Sequence, residues 1–251
     1  MFRPVFNRHL SFRRRWKHFI FAFLRLFVLP SLRVLMRLKV YGLGNIPRQG
    51  GALVIGNHVH NADPILILSS SSRPILWMAK EEVWHLPVLR WIATQAGAFP
   101  VQRGTFDRHA IRTAIDTIHE GLLVGMFPEG TRSTTGGLRD PFPGASLVAL
   151  RADAPIIPCV ILGSEDLPLN GMKQRKRKKL YPKVEVWFGP AFKLNPRSPS
   201  GKRYTMTELT DAMMIEIARL LPPGRRGRYA DADLEQENPA ICRDRIEFPG
   251  G

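Results

Sequence analysis

His58 and Asp63 stand five residues apart in the stretch Asn57-His-Val-His-Asn-Ala-Asp-Pro64, between the apolar runs 52–55 and 65–68. Five steps of about 100° place two residues roughly 140° apart on a helix, so no helical face brings this pair together. They can meet only across a turn. Asp63-Pro64 supplies the end of that turn, an acceptor side chain suited to a helix N-cap followed by a proline suited to the first helical position. A carboxylate fixed there can accept the proton of one imidazole nitrogen, leaving the other nitrogen to take a proton from a substrate hydroxyl. That is the chemistry of a catalytic triad whose nucleophile belongs to the substrate. The same two residues also fit a plain helix cap beside a loop histidine.

A second stretch, Phe127-Pro-Glu-Gly-Thr-Arg-Ser133, ends the apolar run 122–127. It reads as a strand followed by a tight polar turn with a carboxylate, a glycine, two hydroxyls and a guanidinium. The planar fork of Arg132 suits phosphate or carboxylate, and Gly130 lets the backbone approach a ligand closely. Read alone, the turn equally fits an ion pair beside a loop.

Taken together, His58-x4-Asp63 and Phe127-Pro-Glu-Gly-Thr-Arg-Ser133, in this order and about 70 residues apart, resemble the glycerolipid acyltransferase family, in particular the 1-acylglycerol-3-phosphate acyltransferases. Gly97-Ala-Phe-Pro-Val-Gln-Arg103 resembles that family's intermediate block, with Gln102 where the family has Asp. Ile157-Pro-Cys-Val160 resembles its late apolar block, and Phe142-Pro-Gly-Ala145 carries proline where the family usually has lysine. The resemblance spans roughly residues 35–190. It implies that His58 is the general base and Asp63 its orienting partner, with Lys80, Arg103, Glu129, Gly130, Thr131 and Arg132 around the acceptor's phosphate and glycerol. It implies transfer of a fatty acyl group from acyl-CoA or acyl carrier protein to a lysophospholipid, 1-acylglycerol 3-phosphate, giving phosphatidic acid in phospholipid biosynthesis, with no cofactor. Alternatives are a related acceptor (glycerol 3-phosphate, another lysophospholipid or a glycolipid) and a non-catalytic basic protein that binds membranes or nucleic acid.

The elements that must position these residues begin from a chain of 251 residues, 44% of them hydrophobic, enough for a proper core. Lys and Arg number 37 against 21 Asp and Glu, a net charge of +16 that attracts polyanions: nucleic acid, anionic lipid surfaces or phosphorylated substrates. The two cysteines, Cys159 and Cys242, form no disulfide framework and fit a reducing compartment, and no run has metal-ligand spacing. Residues 1–37 hold Arg13, Arg14, Arg15, Lys17 and Arg25 among Phe and Leu, with Pro30 expected to divide two helices. No uncharged run approaches the roughly 20 residues of a membrane span, and no small-x-small cleavage site follows. The expectation is a basic amphipathic helical pair in the membrane interface, on the cytoplasmic face of the cell membrane, peripheral or monotopic.

Apolar runs at 38–41, 52–55, 74–79, 99–101, 122–127, 155–162 and 183–188 read as strands. Helical spacing covers 81–96, 107–121 and 145–152, and a capping-box pattern at Thr205 and Glu208 opens another helix to Leu221. Strands alternating with helices predict an α/β fold, a mixed, mostly parallel sheet flanked by helices, over residues 38–221. Lys80 falls at a strand end, where ligands collect in such sheets. The run Lys173-Gln-Arg-Lys176-Arg177-Lys178-Lys179 predicts a loop facing anionic headgroups rather than nucleic acid. Residues 222–251 are polar and predict a loosely ordered tail.

Overall fold

The computed structural model describes residues 26–27, 29–85, 87, 90, 93, 98–101, 107–167, 182–244 and 246. The run at 52–55 becomes β2 (Ala52–Gly56), every residue of it buried. A strand covered on both faces has no polar side, which is why its sequence is an apolar run rather than an alternation. Leu53 and Ile55 enter one core, and Ala52 and Val54 the opposite one.

Around β2 lie β1 (Lys39–Tyr41), β3 (Ile75–Lys80), β4 (Phe99–Val101), β5 (Leu123–Met126), β6 (Ile156–Leu162) and β7 (Glu185–Phe188), in the sheet order β1-β7-β6-β2-β5-β3-β4. All neighbours pair in parallel except β6 and β7, which are antiparallel. The expected mixed, mostly parallel α/β architecture is what forms. β8 (Lys193–Leu194) and β9 (Ile241–Cys242) make a separate antiparallel pair.

Helices whose full bounds lie among the described residues are α1 (Leu29–Leu35), α2 (Asp63–Ser70), α3 (Arg108–His119), α4 (Gly144–Arg151) and α5 (Met206–Leu220). Ala114, Val148 and Met213, from α3, α4 and α5, fill the core on one face of the sheet, while Leu66, Ile67 and Leu68 of α2 fill the other. Asp107 caps α3, accepting from the Ala110 amide at 2.9 Å. The capping box of α5 forms as its sequence predicts, with Thr205 and Glu208 satisfying each other's backbone amides.

Pro30 lies in the first turn of α1; residues 1–25 lie outside the described residues, and with them the first half of the expected helical pair. Of the helix expected over 81–96, Glu81–His85 forms a 3-10 turn, residues 87, 90 and 93 are helical, and the others lie outside the described residues. Among the described residues no helix is long and apolar enough to cross a membrane.

The C-terminal segment corrects an expectation. Its polar composition predicts a loose tail, yet residues 222–244 are docked on the domain. Tyr229 is buried and donates its hydroxyl to Asp211 at 2.6 Å, Arg219 of α5 donates to the Gln236 carbonyl at 2.6 Å, Arg243 reaches the buried Glu216 at 2.7 Å, and β9 pairs with β8. Charges that read as solvated have specific partners, which no local pattern reveals.

Gly125 of β5 faces Trp77 of β3 in register, and a Cβ there would lie 2.6 Å from the indole ring. Gly125→Ala is expected to lower stability by about 1–3 kcal/mol through overpacking. A denaturation midpoint equal to the wild type's would contradict this packing.

Candidate active site

β2 and β5 are adjacent and parallel, with Ile55 opposite Met126. The two sequence motifs therefore leave the sheet side by side at its carboxyl edge, where open α/β sheets place their ligands. Asn57 begins the first loop by continuing the ladder with its side chain. Its Nδ2 donates to the Ile161 carbonyl at 3.0 Å and its Oδ1 accepts from the Ile161 amide at 2.8 Å.

The loop then folds back on Asp63, whose side chain is fully buried. Asp63 is the first residue of α2 rather than its N-cap; that position falls to Ala62, which makes no side-chain cap bond. The carboxylate instead turns backward. Oδ2 accepts from His58 Nδ1 at 2.9 Å, from the Val59 amide at 2.7 Å and from the His60 amide at 2.7 Å, and Oδ1 accepts from Ser164 Oγ at 2.6 Å. A carboxylate accepts and cannot donate, so Nδ1 carries the ring proton and Nε2 is the basic nitrogen of the neutral imidazole. The pair meets across a turn, as its spacing requires. His60, also buried, uses Nδ1 to accept from the Ala62 amide at 3.0 Å and stiffens that turn.

The second motif locks onto the first through the backbone. Buried Glu129 accepts the His58 amide on Oε1 at 3.2 Å and the Arg139 amide on Oε2 at 3.0 Å. In return the Ser133 amide donates to the His58 carbonyl at 2.7 Å. Burial pushes the Glu129 carboxyl up to about 7; the nearby Asp63 adds to that rise, while the two amides and the Arg139 guanidinium oppose it. The His58 ring stacks on Phe127, centroids 4.1 Å apart, and Phe127 stacks on Trp77 at 4.5 Å. Two planar side chains thus fix the plane of the base.

Of the other residues singled out in the sequence, Gly130 turns the chain at φ 65, Thr131 is exposed, and Arg132 is partly exposed with its carbonyl accepting from Arg139 Nη1 at 3.4 Å. Lys80 is exposed at the end of β3, two strands from β2. Arg103, Arg13, Arg14, Arg15, Lys17, Arg25, Lys176, Arg177, Lys178 and Lys179 lie outside the described residues. Ser164, 101 residues from Asp63, and Arg139 had no signal in the sequence, because both act through contacts between distant loops. Among the described residues no group of three or more His, Cys, Asp or Glu side chains could hold a metal ion.

Two measurements probe this arrangement. The folded state holds a proton on Glu129 between its ordinary 4.5 and about 7, where the unfolded chain has released it. Stability from this group is therefore complete below the lower value and is lost as the pH rises through the upper one, by about 3 kcal/mol in all. Urea midpoints of wild type and Glu129→Gln between pH 5 and 8 are expected to differ in slope, and equal slopes would contradict the burial. Ser164→Ala, which strips a buried acceptor of its donor, is expected to cost about 1–3 kcal/mol in thermal denaturation; an unchanged transition would contradict the Asp63 contact.

An acyltransferase family profile matches residues 37–162, the segment that contains both motifs. The chain is 27% identical over 133 residues to the 1-acyl-sn-glycerol-3-phosphate acyltransferase of Borreliella burgdorferi, covering 52% of this chain and 53% of that one. It is 29% identical over 163 residues to the enzyme of the same name from Bacillus subtilis, covering 61% of this chain and 77% of the other. It spans about half the length of several of the curated relatives it matches. The crystal structure of the 1-acyl-sn-glycerophosphate (LPA) acyltransferase PlsC from Thermotoga maritima shares its fold with a TM-score of 0.60 at 24% identity, over 81% of this chain and 77% of that one. With half its length matched, and the matched half holding the His58–Asp63 pair and the turn that braces it, this chain belongs to the acyltransferase family.

Proposed function

We propose that this protein transfers a fatty acyl group from a thioester to the free hydroxyl of 1-acylglycerol 3-phosphate, giving phosphatidic acid. The observation that carries the reading is the 2.9 Å bond from His58 Nδ1 to an Asp63 carboxylate held by three further donors. It leaves Nε2 as the base. Nε2 takes the hydroxyl proton as the oxygen attacks the thioester carbonyl, Asp63 stabilises the imidazolium that forms, and collapse of the tetrahedral intermediate expels the thiolate, which takes the proton back. The ester C–O bond forms as the C–S bond breaks, with no acyl-enzyme between them. The names of the relatives from Borreliella burgdorferi and Bacillus subtilis support this acceptor.

Arg132, Lys80 and Arg103 are the cations we assign to the acceptor's phosphate, with Gly130 and Thr131 alongside. The donor is acyl-CoA or acyl carrier protein; both are anionic and suit a chain of net charge +16. We place the protein on the cytoplasmic face of the cell membrane, peripheral or monotopic. Support comes from the exposed Leu26, Phe27, Val34 and Leu35 in and just before α1, the adjoining Arg33 and Arg37, and the exposed Phe142 against Gly130. The basic residues 13–17 and 176–179 would add attraction to anionic headgroups.

Thiol release from a long-chain acyl-CoA and from acyl carrier protein, with and without lysophosphatidic acid in mixed micelles, tests the reading. Acceptor-dependent release is expected, falling by about 10² to 10⁴ in a folded His58→Ala variant. Retained activity in that variant would overturn the mechanism, and no release with either donor would overturn the reaction.

A further inference from the structure

The two carboxylates that hold His58 are each steadied by a loop, and both loops are reached by one residue of the C-terminal segment. The first support is Ser164, whose hydroxyl donates to Asp63 Oδ1; its neighbour Glu165 is buried and accepts from Arg225 Nη2. The second is Arg139, whose amide donates to Glu129 Oε2; its neighbour Leu138 is buried and donates its amide to the Arg225 carbonyl at 3.3 Å. Arg225 thus grips one loop with its side chain and the other with its backbone. The grip is continued by Arg228, whose amide donates to the Leu138 carbonyl at 3.1 Å and whose guanidinium pairs with Asp140.

The backbones could not approach this closely with side chains between them. A Cβ on Gly137 would meet Gly227 Cα at 2.9 Å, and one on Gly227 would meet the Leu138 carbonyl oxygen at 2.2 Å. The 3-10 turns Pro223–Arg225 and Gly227–Tyr229 lay the segment in place, and the buried Tyr229, bonded to Asp211 of α5, anchors its far end. The segment 222–229 and its partner Glu165 lie beyond residues 37–162, where the family profile matches.

We infer that the segment 222–229 is a clamp completing the active site, with Arg225 a positioning residue that registers the Asp63 and Glu129 supports against each other and so fixes His58. This rests on the reading of His58 as the base. Because the clamp acts on geometry at the base, opening it lowers turnover and leaves substrate binding alone.

The test uses the full chain and two ways of opening the clamp. Arg225→Gln removes the grip on Glu165, Arg225→Lys keeps a cation there, and Gly227→Ala drives a methyl group against the Leu138 backbone. With a long-chain acyl-CoA and lysophosphatidic acid, Arg225→Gln and Gly227→Ala are each expected to lower kcat by about 10-fold to 100-fold, with both KM values within about twofold of wild type. Arg225→Lys is expected to recover most of that loss. The substrate-free readout is the proton NMR signal of the His58 Nδ1 proton, sharp in the wild type and in Arg225→Lys and broadened by faster exchange with water in the other two variants. A folded Arg225→Gln with wild-type kcat and a sharp Nδ1 signal would overturn the clamp, as would a rise in KM at unchanged kcat. Should Arg225→Gln not fold, Gly227→Ala decides by the same two readouts. If the wild type releases no thiol from acyl-CoA or from acyl carrier protein, the proposed reaction has failed while the Nδ1 signal still judges the clamp.

Discussion

The site depends on one buried carboxylate and the need to satisfy it. Asp63 is removed from water entirely, so each of its lone pairs must find a donor inside the protein. Two come from the backbone of its own loop, one from Ser164 beyond β6 and one from the His58 ring. Satisfying the carboxylate folds the loop, and folding the loop places the base. The imidazole is positioned as the fourth member of a set that the fold must complete in any case.

Burial of acids recurs and sorts the molecule into two parts. Among the described residues four acidic side chains are buried: Asp63, Glu129, Glu165 and Glu216. The first two hold the loop of His58. The other two receive arginines of the C-terminal segment, Arg225 on Glu165 and Arg243 on Glu216, and so fasten that segment to the sheet domain. A buried ion pair adds little net stability when set against apolar packing, but breaking one leaves an uncompensated charge. Such pairs specify where a segment sits, which is what a site assembled from three distant loops requires.

What could be read beforehand follows from the range of the forces involved. Strands buried on both faces show as apolar runs, and 52–55, 122–127 and 155–162 appear in the sheet almost as spaced. The Thr205–Glu208 capping box is a contact three residues long and was legible for that reason. The motif residues of the site were legible too, because His58 and Asp63 meet within one turn. The direction of the Asp63 side chain was not, since cap and dyad begin from the same Asp-Pro. Ser164 and Arg139 had no local mark, and the Arg- and Asp-rich composition of 225–244 reads as solvated whether or not partners await it. Glu129 is intermediate: its position in the second motif was evident, but its engagement with the His58 amide, 71 residues away, depends on β2 and β5 being neighbours.

Asp63 holds the His58 ring with its proton on Nδ1 and its basic nitrogen on Nε2. Nitrogen-15 NMR of the His58 ring in its neutral form measures this directly. The expected result is a protonated Nδ1 coupled to a single strongly hydrogen-bonded proton, with Nε2 bare, and loss of that preference in Asp63→Ala. A ring protonated on Nε2 in the wild type would contradict it.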